Sequence, residues 1–496
     1  MTSILALDQG TTGSTALVVH EDGRVLARSG REFAQHYPAP GWVEHDAEEL
    51  FRVSVAVMGE AVAAAGSRPV ALGITNQRET VVLWDRATLQ PVAPAIVWQD
   101  RRTTARCREL REAGLEPMLR RRTGLVADPY FSATKLEWLL LDRELRRRAE
   151  AGELAFGTME SWLVASLTGG LHVSDHTNAS RTLLYNLGTR SWDDDLLGLF
   201  SVPRRLMPEI VPSSGVLGDV KAEHLGFALP IAGLAGDQQA SLLGQACIAP
   251  GVAKVTFGTG GMLDTVVGGE RPSFAARGGH GCFPIVAHRL GGVITWGVEA
   301  AMLSAGTNVE WLRDDLGLIP TAEASHEVAA SVPDTGGAWY VPALLGLGTP
   351  RWDYGARGTL LGITRGTTAA HVVRAVLEGV AHRGADLVEA AEADGGAAID
   401  VIRVDGGMSA NPTFVQAVAD AADRPVEVSP IAEATTLGAG YLAGVAVGTW
   451  SSIDEAVGTW RPARTVEPQQ PAGRKRWQEA VDRAAGWVPE LSALEF

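Results

Sequence analysis

The sequence predicts a large α/β protein of two domains, and three observations predict it. At 496 residues the chain exceeds what one hydrophobic core usually holds. An apolar fraction of 46% with 57 glycines suits strands and helices joined by tight turns. One design, a strand, a polar glycine turn and a second strand, occurs near residue 10 and again near residue 258, as expected of two related domains facing one ligand. A loop-like break at residues 248–251 divides the chain into an N-terminal domain, 1–248, and a C-terminal domain, 249–496.

The first copy of the design occupies residues 4–19, where two apolar runs bracket Asp8, Gln9, Gly10, Thr11, Thr12, Gly13 and Ser14. Glycine lets backbone N–H groups approach an oxygen-rich anion and the threonines add hydroxyl donors, so the turn has the chemistry of a phosphate cradle. Asp8 would repel that phosphate directly. An acid there therefore implies a bridging divalent cation, Mg²⁺ held partly through water. No G-x-x-x-x-G-K-[ST] occurs, so the turn is not a P-loop.

Residues 48–65 follow with a helical period, Asp46 as N-cap and Glu49 three residues on. A strand at 70–74, the polar block 75–80 and an apolar run at 81–84 predict a second strand pair with a charged connection. A third strand, 95–98, ends in Gln99, Asp100, Arg101 and Arg102. Residues 104–111 and 135–148 are expected to be solvated helical faces. Residues 229–237 form a buried strand ending on an acid, followed by a helix. The second hairpin spans 251–267 around Thr256, Phe257, Gly258, Thr259, Gly260 and Gly261.

Further on, residues 401–404 are a strand and 405–410 a glycine loop, while Asn411 and Pro412 are N-cap and first helical position, a nucleotide-shaped arrangement. The small residues of 435–448 predict a closely packed helix without a site. Residues 461–476 are expected to wrap the surface before a final short helix.

Composition excludes other classes. A net charge of −15 argues against nucleic acid and against stable association with anionic membranes. No apolar run reaches transmembrane length and no signal-peptide pattern opens the chain, so a cytoplasmic protein is expected. Cys107, Cys247 and Cys282 are widely spaced and are read as small buried hydrophobes.

With these pieces placed, the chain resembles the FGGY family of carbohydrate kinases over nearly its whole length. The blocks that carry the resemblance are DQGTT from Asp8, GITNQRET from Gly73, IVWQDRR from Ile96, DPYFSATK from Asp128, TNASRT from Thr177, AGDQQA from Ala235, FGTG from Phe257 and VDGG from Val404. The resemblance implies an actin-like, ribonuclease-H-like two-domain fold with the ligand cleft between the domains. It implies phosphorylation of glycerol to sn-glycerol 3-phosphate, ATP with Mg²⁺ as donor, and a homo-oligomer. Asp237 would be the catalytic base, with Asp8 and Asp237 near the metal. Arg78, Glu79, Trp98, Tyr130, Asp237, Gln238 and Met262 would hold the polyol. Thr11, Thr12, Gly13, Thr259, Gly306, Glu310, Gly407 and Asn411 would surround the nucleotide.

The chemistry is consistent with that list on its own terms. Phosphoryl transfer to an alcohol requires a base for the hydroxyl proton, a cation for the phosphates and a pocket that positions the alcohol. A triol needs charged hydrogen-bonding groups on one edge and apolar walls on the other.

The chain also departs from the family pattern. Gly13 and Thr15 stand where DQGTTSSR has a serine and the arginine, and a lost charge-assisted bond there is worth about 1.5–3 kcal/mol. Met262 replaces a phenylalanine, Glu310 a glutamine and Met408 a small residue. The fructose-bisphosphate loop of some members has no counterpart at 221–230. His224 lies out of register with a histidine that is phosphorylated in others. A sibling kinase for another polyol or sugar is the first rival, which Met262 keeps open. A nucleotide-driven conformational switch is the second, and it would need no small-alcohol pocket.

Overall fold

The computed structural model describes residues 2–492. Among these residues two compact units emerge: 2–246 with 285–295 and 433–460, and 247–284 with 296–432 and 461–492.

In the first unit the strands Ser3–Gln9 and Gly13–His20 form the opening hairpin, register Gln9 opposite Ser14. The sheet runs Val25–Glu32, Gly13–His20, Ser3–Gln9, Leu72–Asn76, Leu229–Gly236, Ser214–Val220. Its first two pairings are antiparallel, the next two parallel and the last antiparallel. Side chains alternate across it. Leu5, Leu7, Leu72 and Ile74 join the core that includes helix Ala47–Ala65, whose N-cap Asp46 accepts from the N–H groups of Glu48 and Glu49.

The opposite face of that sheet carries helix Ala434–Ala446. Its expected close packing is observed: a Cβ on Gly438 would stand 1.9 Å from the carbonyl oxygen of Ala240, in helix Asp237–Gly244. The small residues of this segment let two helix backbones meet.

The second unit repeats the order of pairings. Val293–Met302, Gly261–Gly268, Val252–Phe257, Val401–Asp405, Val426–Val428 and Arg464–Val466 follow one another, antiparallel twice, parallel twice, then antiparallel. Its core gathers Val255, Phe257, Leu263, Val298 and Ala300 with helices Ala369–Gly395 and Pro412–Ala422. The duplicated hairpin is thus one part of a duplicated sheet.

Several local expectations are corrected. The strand expected at 70–74 is Leu72–Asn76, and its partner in sequence, Val82–Asp85, pairs with Leu154–Gly157 in a separate sheet. The strand expected at 95–98 is only Ala95–Ile96, paired with Glu44–His45. Residues 135–148 are no single solvated helix. Ser132–Leu139 and Arg143–Ala151 are separate, and Lys135 is fully buried. Residues 461–476 contribute the edge strand Arg464–Val466 and the start of helix Arg474–Ala484, whose Trp477 is buried. Propensity does not report which neighbours a strand finds or which side of a helix is covered. All three cysteines are buried thiols outside any disulfide, and burial pushes those of Cys107 and Cys247 up to about 12.

Candidate functional site

The polar block that follows Leu72–Asn76 folds inward, and residues 75–80 are all buried. Arg78 and Glu79 are therefore no surface ion pair. Glu79 adopts φ 64°, a left-handed conformation that a non-glycine residue holds only when its surroundings fix it. Ser132 Oγ donates to its carbonyl at 2.9 Å and Arg181 Nε to its Oε1 at 2.6 Å, while Arg78 Nε lies 3.9 Å from the same oxygen. Burial raises the Glu79 carboxyl above its ordinary range, with Arg181 and Arg78 pulling the other way.

Asp237 is the first residue of its helix and Gly236 is the cap, so the carboxylate is not occupied as an N-cap. Its Oδ1 accepts from the Gln238 N–H at 2.7 Å and stands 3.2 Å from Arg78 Nε. The side chain is 32% exposed, against 2% for that of Arg78. Gln238 is half-buried beside it. Arg78 also donates to Gln239 Oε1 at 3.3 Å.

The apolar side is built from rings. Trp98 meets Tyr130 edge-on with centroids 5.3 Å apart, and Tyr130 meets Phe131 at 5.2 Å. Trp98 Nε1 donates to Thr11 Oγ1 at 2.9 Å, tying this platform to the opening turn. Asp128 Oδ1 accepts from the Tyr130 N–H and from Arg101.

At the opening turn the Gly10 N–H donates to the Gly13 carbonyl at 2.9 Å. Thr11 and Gly13 are half-buried and Thr12 is exposed. Asp8 lies beneath, its Oδ1 buried without a hydrogen-bond partner. Burial and then the Asp237 charge push its carboxyl up to about 7. An orphaned carboxylate oxygen coupled to a second carboxylate fits a divalent cation. Among the described residues no group of three His, Cys, Asp or Glu could hold a metal. The donor set thus suits Mg²⁺, which takes one or two carboxylates and completes its shell with water and phosphate.

In the second unit the turn at Gly258–Gly260 is braced by backbone. The Gly306 N–H donates to the Gly258 carbonyl at 2.8 Å and the Ala305 N–H to the Thr259 carbonyl at 2.9 Å. A Cβ on Gly306 would stand 2.7 Å from that Gly258 oxygen. At Gly406, with φ 84°, a Cβ would stand 2.4 Å from the Phe257 carbonyl oxygen, while Gly407 is open on its own side. Asn411 caps Pro412–Ala422 through the Phe414 N–H and donates to Ser325. Glu310 is exposed, Met262 is half-buried opposite Ala301, and Met408 lies in the core of this unit. His224 packs edge-on against Phe51, its side chain 17% exposed.

Two residues escaped the sequence reading. Arg181 holds Glu79 from within TNASRT. Lys135 donates through Nζ to the carbonyls of Tyr130 and Phe131 at 2.6 and 3.1 Å, and burial pushes its ammonium down to about 7. Each stands inside a block that carries the resemblance, DPYFSATK for Lys135 and TNASRT for Arg181.

Comparison with known proteins shows the family. The model of the FGGY family of carbohydrate kinases, N-terminal domain, matches residues 3–244, and that of the C-terminal domain matches residues 255–447. A glycerol kinase of Aromatoleum aromaticum is 50% identical over 98% of this chain and 100% of its own. The crystal structure of Plasmodium falciparum glycerol kinase with ADP superposes with a TM-score of 0.92 at 31% identity, covering 100% of this chain and 99% of that one. A xylulose kinase of Lactobacillus acidophilus has a TM-score of 0.87 at 21% identity, covering 99% of each chain, which shows a shared fold.

Proposed function

The chain belongs to the FGGY family of carbohydrate kinases, and from that premise we propose that it transfers the γ-phosphoryl group of ATP to glycerol, giving sn-glycerol 3-phosphate. The observation that carries this reading is the half-open Asp237 carboxylate 3.2 Å from buried Arg78, beside a Glu79 locked by Arg181. Asp237 takes the proton of the attacking hydroxyl. A carboxylate suffices, because in a loose transition state the proton leaves late.

Arg78 and Glu79 donate to and accept from adjacent hydroxyls, and Gln238 extends the polar edge. Their partners are already fixed in the protein, so the alcohol meets an organised surface. Trp98 and Tyr130 cover the C–H edge. Thr11, Thr12 and Gly13 present hydroxyl and N–H donors to phosphate, and Asp8 with Asp237 would hold Mg²⁺. When bound, that ion neutralises charge on the phosphate oxygens. The second unit's Met262 is assigned to the acceptor, and Thr259, Gly306, Glu310, Gly407 and Asn411 to the nucleotide. The same reading divides the chain into domains 1–248 and 249–496 and makes it a cytoplasmic homo-oligomer. No helix among the described residues is long and apolar enough to cross a membrane.

The test is ADP release at saturating Mg·ATP with glycerol, erythritol, ribitol, xylulose or dihydroxyacetone. Glycerol is expected to support turnover and Asp237→Asn to lower it about 10³-fold. Turnover with another acceptor but not with glycerol would overturn the assignment.

A further inference from the structure

The segment from Asp175 to Thr182 contains no residue assigned to a ligand, yet it grips the site at three places. Asp175 ends the strand Val173–Asp175 and caps the short helix His176–Ala179, and it is fully buried. Its carboxylate accepts from the N–H groups of Thr177 and Asn178, from Asn178 Nδ2 at 3.0 Å, and from the hydroxyls of Thr177 and Ser213 at 2.8 Å each. With so many donors converging, the carboxylate has one orientation.

That orientation is passed on. The Thr177 hydroxyl proton is committed to Asp175, so its lone pair is left to accept, and the Gly236 N–H donates to it at 2.8 Å. Gly236 lies beyond the last antiparallel pair of its strand, Ser214 with Gly233. Asn76 pairs with Gly236 on one side, and on the Ser214 side, where the paired strand has ended, a side chain takes the donor. Gly236 is the cap residue on which Asp237 begins its helix. One residue further, Asn178 and Asn76 exchange two amide hydrogen bonds at 3.0 and 3.1 Å, two residues before Arg78. Arg181 then holds Glu79.

We infer that Thr177 is a positioning residue for Asp237: its hydroxyl, aimed by Asp175, fixes the Gly236 amide and with it the direction in which the carboxylate enters the site. Through Asn178 and Arg181 the same segment registers the polyol-binding pair against the base. This inference rests on the reading of Asp237 as base, and its test keeps the two apart.

Glycerol-dependent ADP release is measured for the wild type, Asp237→Asn, Thr177→Val and Thr177→Ser, with melting temperatures alongside. Valine keeps the shape of threonine and removes the acceptor, whereas serine keeps the acceptor. Thr177→Val is expected to lower kcat about tenfold with the KM for glycerol within about twofold, and Thr177→Ser to recover most of that loss. A wild-type kcat in Thr177→Val, or a change confined to KM or melting temperature, overturns the inference while leaving Asp237 as base. A wild type without glycerol turnover, or an active Asp237→Asn, overturns the underlying reading instead. If Thr177→Val does not fold, Asp175→Asn takes its place: it leaves the hydroxyl but weakens its orientation. A several-fold loss of kcat supports the inference, and an unchanged kcat overturns it.

Discussion

The two hairpin turns begin from the same kind of sequence and are finished differently. At the opening turn, Asp8 has one buried carboxylate oxygen without a hydrogen-bond partner, and its proton affinity is raised by burial and then by Asp237. The second turn is braced by backbone. Backbone N–H groups of Ala305 and Gly306 hold the carbonyls of Gly258 and Thr259. The first turn stores an electrostatic demand that a cation would meet, while the second is a rigid frame.

Among changes at the two turns, the largest effect is expected from removing that demand. Asp8→Asn should lower turnover on the order of a hundredfold and abolish stabilisation by added Mg²⁺. Its apo stability should move the other way. The Asp8 carboxyl has an ordinary value of 3.8 and is raised to about 7 in the folded chain. Its contribution to stability is therefore full below 3.8 and lost as pH rises through about 7. Thermal melting without divalent ions should show Asp8→Asn above the wild type at pH 8, with the gap closing towards pH 4.

An intermediate effect is expected at the frame. Gly306→Ala places a Cβ against the Gly258 carbonyl, so the second turn must shift. Steady-state kinetics should show the KM for ATP raised roughly tenfold with the KM for glycerol unchanged. Equal rises in both would mean that the turn does not act on the nucleotide alone.

The smallest concerns a departure from the family pattern. Restoring serine by Gly13→Ser brings a Cβ within 2.7 Å of the Arg31 carbonyl in the neighbouring strand. It should cost about 1 kcal/mol, read as a fall in melting temperature, and should not improve turnover. The glycine is matched to its neighbour, which a comparison of motifs cannot reveal.

Much of this was legible in the chain. The hairpins, the Asp46 cap, the Asn411–Pro412 helix start and the closely packed helix at 434–446 follow from short-range patterns. The blocks around Asp8, Arg78, Tyr130 and Asp237 named the candidate site. Lys135 and Arg181 were missed because periodicity ranks a cation as solvated unless a partner is known, and their partners lie in other segments: the Tyr130–Phe131 turn for Lys135, and Glu79 for Arg181.

The sequence by itself determined which residue types were available and where the chain turns, since both depend on neighbours within a few positions. Only the tertiary structure decided that Val82–Asp85 leaves the main sheet, that residues 75–80 turn inward, and that Thr177 meets Gly236. Those outcomes depend on which distant groups compete for the same buried hydrogen bonds. That competition has no period along the chain.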